Sequence, residues 1–129
     1  MIRKLVVVNV LLTLPFGIAA LLAPQPIFAQ FGVALDADGA LVARGYAATL
    51  IGFGLVLWGL RDSRDPAVVT PLLVGLLLFN AIEAGVQAAA ATAGVATGAI
   101  GMNVALHAGV AAWLLGALAA RRHTAGASR

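Results

Sequence analysis

Residues 66–91 read PAVVTPLLVGLLLFNAIEAGVQAAAA, and Glu83 is their one charged side chain. At about 1.5 Å rise per residue such a helix extends roughly 39 Å. The hydrocarbon core of a bilayer is about 30 Å thick. A helix of this length in water would need a broad polar face, and Asn80, Glu83 and Gln87 are far too few to make one. In lipid the backbone must pair its own polar groups, which an α-helix does. Asp65 followed by Pro66 marks the start: the carboxylate can accept from free backbone N–H groups, and proline suits the first helical position.

Outward from this segment three more runs have spanning length, at about 5–22, 40–60 and 99–120. None alternates as a barrel strand would. The whole chain of 129 residues is 62% apolar and 10% charged, with mean hydropathy +1.03. Soluble domains are about a quarter charged, so a conventional soluble enzyme is excluded. With no cysteine, disulfides, thiolate metal sites and cysteine nucleophiles are excluded too. The fold expected is all-α: a single polytopic membrane domain over residues 1–129, built as a four-helix bundle. Arg3 and Lys4 ahead of the first run resemble a signal peptide. The run is longer than such h-regions, and no clear cleavage site follows, so it reads as a retained helix. Pro24 and Pro26 end it. Arg121 and Arg122 are expected to stop the fourth, leaving 121–129 as a basic tail.

Positive charge gives a direction. Arg3, Lys4, Arg61, Arg64, Arg121, Arg122 and Arg129 fall at the termini and in the middle loop, while the other two loops carry no Lys or Arg. The positive-inside rule then puts both termini in the cytoplasm. Arginine outnumbers lysine, with abundant Ala, Gly and Val, as in GC-rich bacterial genes, so a bacterial inner membrane is expected. These cations form no nucleic-acid stripe; the tail reads as a topology signal with affinity for anionic lipids. In the loop 23–39, Ile27, Phe28, Phe31 and Leu35 recur at helical spacing. They suggest either a short interfacial helix on the outer surface or an apolar loop packed on the bundle. Trp58 fits the aromatic belt. Gly45, Gly52 and Gly59 on the second span, and Gly101, Gly109 and Gly116 on the fourth, read as close-packing faces.

Polar groups inside membrane helices are costly and are candidates for function. Those here are Arg44, Asn80, Glu83, Gln87, Asn103 and His107, with Asn9 apart near the cytoplasmic end of the first span. Asn80, Glu83 and Gln87 share one helix face, as do Asn103 and His107. Counted along their helices, Glu83 and His107 lie roughly 12–14 Å below the outer boundary, and Arg44, Gln87 and Asn103 roughly 6–8 Å below it. A polar pocket centred on Glu83 is expected in the outer half of the bilayer, with Arg44 and His107 as partners and residues 23–39 as its lid. Arg44 would hold an anionic or carbonyl group, or could instead snorkel outward. Histidine could share a proton with Glu83. The same set could serve only to cross-link helices.

Other chemistries find no support. No lysine lies within a span for a Schiff base, no serine for a triad, and no third ligand for a metal beside Glu83 and His107. No cofactor is expected.

Three stretches, LLTLPFGIAALLAP (11–24), LVARGYAATLIGFGLVLWGLRDSRDP (41–66) and GMNVALHAGVAAWLLGAL (101–118), resemble small bacterial four-helix membrane proteins of a largely uncharacterised, DoxX-like group. Arg44-Gly45 and Asn103 match that pattern, whereas Glu83 in FNAIEAGVQ departs from it. The resemblance implies the fold, and an accessory role in a redox complex for some members; without cysteine, thiol chemistry is not implied. The expected function is binding of a small amphipathic or lipid-like ligand, or service as an accessory subunit, with membrane lipids, a homo-oligomer or a larger membrane complex as partners. The alternative is a proton-coupled transporter or channel using Glu83, which needs a polar route to both surfaces. An intramembrane enzyme using Glu83 and His107 as acid and base is a third reading.

Overall fold

A computed structural model describes residues 2–126, with side chains described through Arg121. Arg129 and the side chains of Arg122 and His123 lie outside the described residues. The elements are α1 (Ile2–Leu22), α2 (Pro24–Ala29), α3 (Ala37–Leu60), α4 (Pro66–Thr92) and α5 (Ile100–Gly126). Four of them are long and apolar enough to cross a membrane: Ile2–Leu22, Ala37–Leu60, Pro66–Thr92 and Ile100–Arg121. The protein is therefore an all-α, multi-pass membrane four-helix bundle with a short helix, α2, between its first two spans.

Local chemistry sets the helix ends. Asp36 caps α3, accepting from the Gly39 backbone N–H at 2.7 Å. Asp65 accepts from Ala67 N–H at 2.9 Å, with Pro66 in the first turn of α4. Each carboxylate satisfies an otherwise orphaned donor. At the other terminus α5 differs from expectation. It runs through Arg121 and Arg122 to Gly126 instead of stopping there. Arginine is a good helix former, so the charge ends the apolar span and not the helix.

The helices pack as two close pairs, α1 with α3 and α4 with α5. In the first pair Gly17 and Gly54 let the backbones approach. A Cβ on Gly17 would sit 3.0 Å from the Ala47 carbonyl oxygen, and one on Gly54 would sit 3.1 Å from Leu14 Cβ. Gly45, Gly52, Gly59, Gly101, Gly109 and Gly116 have nothing within 4 Å of a built Cβ. The glycine faces expected to knit the bundle thus point away from it. A seven-residue spacing shows that glycines share a face, but not which way the face turns.

At one end the two pairs merge into a solid core. Leu5, Val6, Leu57, Val69, Leu73, Leu76 and Leu114 are all fully or almost fully buried there. Arg3 reaches Asp62 at 3.1 Å at this end, and Arg61 stacks on Trp58 at 3.9 Å. Arg3, Arg61, Arg64 and Arg121 line a cleft beside them. Toward the opposite end the pairs separate, and the space between them is the candidate site.

Candidate functional site

The space is a cavity of about 370 Å³ that draws its lining from all five helices. Phe16 of α1, Phe28 of α2 and Phe31 just beyond it form an aromatic roof, with both lid rings 6.2 Å from Phe16. Leu12, Leu50 and Phe79 supply apolar wall. Tyr46, Glu83, Gln87, Asn103 and His107 supply polar wall. Several lining side chains are also open to the outside: Tyr46 at 36%, Leu106 at 41% and Val86 at 62%.

The polar groups form two connected sets. In the first, Glu83 accepts on both oxygens, from the Tyr46 hydroxyl at 2.8 Å and from Gln87 Nε2 at 2.9 Å. Gln87 is thereby turned so that its Oε1 accepts from Asn103 Nδ2 at 2.8 Å. The second set begins on backbone. Asn9 Nδ2 donates to Leu5 O at 2.9 Å, so Asn9 Oδ1 is the atom that accepts from Asn80 Nδ2 at 2.7 Å. Asn80 Nδ2 also donates to Leu76 O at 2.9 Å. Asn80 Oδ1 then lies 2.9 Å from His107 Nδ1. A carbonyl oxygen cannot donate, so Nδ1 carries a proton, and in the neutral ring the other nitrogen, Nε2, carries a lone pair. Two fixed backbone carbonyls therefore set the histidine tautomer.

Compared with protein-family models, curated proteins and solved structures, the chain matches none.

Of the six residues singled out in the sequence, Glu83, Gln87, Asn103 and His107 line the cavity. Asn80 lies behind it, fully buried, holding His107. Arg44 is not beside Glu83. It is exposed, does not line the cavity, and makes no hydrogen bond or ion pair among the described residues. The reason is rotational. The buried stripe of α3 includes Ala43, Ala47, Leu50 and Gly54. At about 100° per residue Arg44 and Tyr46 flank that stripe on opposite sides, so only one can face α4. Tyr46 takes the place at Glu83 expected for Arg44.

Two participants were missed in the sequence. Tyr46 could have been found from its place beside the small-residue stripe Ala43/Ala47. Asn9 had no such signal. Among the described residues no three of His, Asp or Glu come together to hold a metal ion.

The lid is fastened to the opposite loop by backbone. Thr97 N–H donates to Phe31 O at 2.7 Å, and Ala99 N–H to Gln30 O at 3.0 Å. Gly98 between them has φ +61°, and a Cβ there would come within 2.6 Å of Gln30 O. Left-handed backbone costs an L-residue about 1–2 kcal/mol before any clash. Gly98→Ala is therefore expected to open this clasp. Hydrogen exchange at the Thr97 and Ala99 amides should accelerate about tenfold or more, the factor that about 1.4 kcal/mol of lost local stability gives. Unchanged protection would show that the loops stay together without it.

Proposed function

We propose that this protein sits in a bacterial cytoplasmic membrane with both termini inside and holds a small amphipathic or lipid-like molecule in the cavity, on its own or as an accessory subunit of a membrane complex. The observation that carries this reading is the division of the cavity wall. Polar groups from α3, α4 and α5 cluster on one part of it, and aromatic and aliphatic side chains line the rest. Ligand pockets are commonly built this way, with apolar walls for affinity and a few polar groups for orientation. The exposed lining residues Tyr46, Val86 and Leu106 lie on helices in lipid, which suits entry sideways from the bilayer. The DoxX-like resemblance of the sequence agrees with a small membrane accessory protein. At the charged end, Arg3, Arg61, Arg64 and Arg121 suit the headgroups of anionic lipids.

Binding is favoured over transport by what lies beyond Asn9. The hydrogen-bonded chain from His107 through Asn80 reaches Asn9 and Thr13. Past it stands the packed core of Leu5, Val6, Leu73, Leu76 and Leu114, and among the described residues no buried polar side chain continues the route. Glu83 and His107 both line the cavity without bonding each other, as an acid–base pair would need, but both Glu83 oxygens already accept, from Tyr46 and Gln87, which favours binding over catalysis.

Native mass spectrometry of protein released from mild detergent tests the reading. A small molecule should leave with the unsubstituted protein and be absent from Ala90→Trp, which fills the lined space with an indole. Equal occupancy of the two proteins would place the molecule elsewhere. Proton-coupled flux into proteoliposomes that is lost in Glu83→Gln would replace the binding reading with a transport one.

A further inference from the structure

The ligand's polar end can be read from the atoms left over in the cavity wall. A carboxylate accepts and cannot donate. With both Glu83 oxygens accepting, Tyr46 and Gln87 must present donors to it. The direction then propagates. Gln87 offers its oxygen to Asn103, Asn103 uses its nitrogen, and the Asn103 Oδ1 is left over. Independently, the backbone-anchored chain through Asn9 and Asn80 consumes the Nδ1 proton of His107, which leaves Nε2 of the neutral ring as an acceptor. Neither Asn103 Oδ1 nor His107 Nε2 has a hydrogen-bond partner among the described residues. The remaining lone pairs of Glu83 add to them. Two separate networks thus bring Asn103 Oδ1, His107 Nε2 and the free lone pairs of Glu83 to one wall, beside the second N–H of Gln87 and of Asn103, and among the described residues no cation stands beside its one acidic side chain.

We infer that the cavity takes a positively charged, donor-bearing head, an ammonium group, on a compact aromatic or aliphatic body. This rests on the reading of the cavity as a ligand site and adds the sign of the charge. An ammonium offers three donors, matching Glu83, Asn103 and His107. The aromatic roof of Phe16, Phe28 and Phe31 supplies apolar surface for the body. An anionic head could take the spare amide N–H groups of Gln87 and Asn103 but would meet the Glu83 carboxylate with no guanidinium to offset it, because Arg44 does not line the cavity.

The test compares three probes of nearly equal size and shape: 4-phenylbutylamine, 4-phenylbutanol and 4-phenylbutanoate. Each is titrated by equilibrium dialysis into the full-length protein in lipid nanodiscs, with empty nanodiscs subtracted. The amine is expected to bind about tenfold or more tighter than the alcohol, consistent with charge-assisted hydrogen bonds, and the acid most weakly. Glu83→Gln should remove the amine's roughly tenfold advantage over the alcohol, about 1.4 kcal/mol. If Glu83→Gln does not fold, the order of the three probes on the unsubstituted protein still decides. Equal binding of all three, or tighter binding of the acid, overturns the charge assignment while leaving the ligand site intact. No specific binding by any probe overturns both.

Discussion

Replacing Gly17 with leucine is expected to destabilise the bundle by about 3 kcal/mol or more, while Gly52→Ala costs nothing measurable. Gly17 is where α1 and α3 come together: a built Cβ lies 3.0 Å from the Ala47 carbonyl oxygen and 3.2 Å from the Ile51 backbone nitrogen. These are backbone atoms, so no rotamer change relieves the crowding, and the helices must separate. Overfilling a packed site typically costs about 1–3 kcal/mol even when side chains can adjust. Lipid tails are as apolar as the helix surfaces, so helices forced apart are not driven back together by a hydrophobic effect. Gly52 has nothing within 4 Å, and alanine is the better helix former by up to about 1 kcal/mol in water. Unfolding in mixed detergent micelles measures both. A Gly17→Leu protein as stable as its parent would mean that α1 and α3 do not meet at this residue. A clear loss at Gly52 would mean that its face is covered by another protein surface, as in a homo-oligomer.

Glycines also show where the sequence was legible and where it was not. Spans were legible because length and hydropathy depend on composition along the chain, and lipid forces such segments to be helical. The face shared by Asn80, Glu83 and Gln87 followed from helix period alone. What needed coordinates was rotation about each helix axis. α3 is apolar nearly all round, so no hydrophobic face announced which of Arg44 and Tyr46 turns toward α4, and Gly45, Gly52 and Gly59 could have pointed either way. Relative height was the second hidden variable. Asn9 lies roughly 10 Å along α1 and Asn80 roughly 21 Å along α4. Counting from helix ends therefore kept apart two residues whose side chains meet at 2.7 Å. The count assumes parallel helices starting in one plane, which these do not obey.

Asn80→Leu is the second substitution with a large expected effect, about 2–4 kcal/mol of lost stability, and it separates the structural polar groups from those lining the cavity. Asn80 is fully buried and joins α4 to both α1 and α5. Leucine of similar size would fill its space but strand Asn9 Oδ1, also fully buried, and the Nδ1 proton of His107. An interhelical hydrogen bond in a membrane is worth about 0.6 kcal/mol on average. Leaving a buried donor or acceptor unpaired costs more, about 1–3 kcal/mol each. The second figure governs here, because Asn9 and Asn80 are fully buried. Adding Asn9→Leu should then cost much less than it does in the unsubstituted protein, since that amide's partner is already gone. Glu83→Gln should behave differently. Gln87 can still donate to the new amide oxygen, and the Tyr46 hydroxyl can rotate to accept from its nitrogen, so the loss should stay under about 1 kcal/mol. Denaturant titrations of the four proteins, with the Asn9/Asn80 double variant completing a cycle, measure these differences directly. If Asn80→Leu is neutral and Glu83→Gln unfolds the bundle, the roles are reversed: Glu83 would be the cross-link, and the lone pairs left in the cavity a by-product of helix packing.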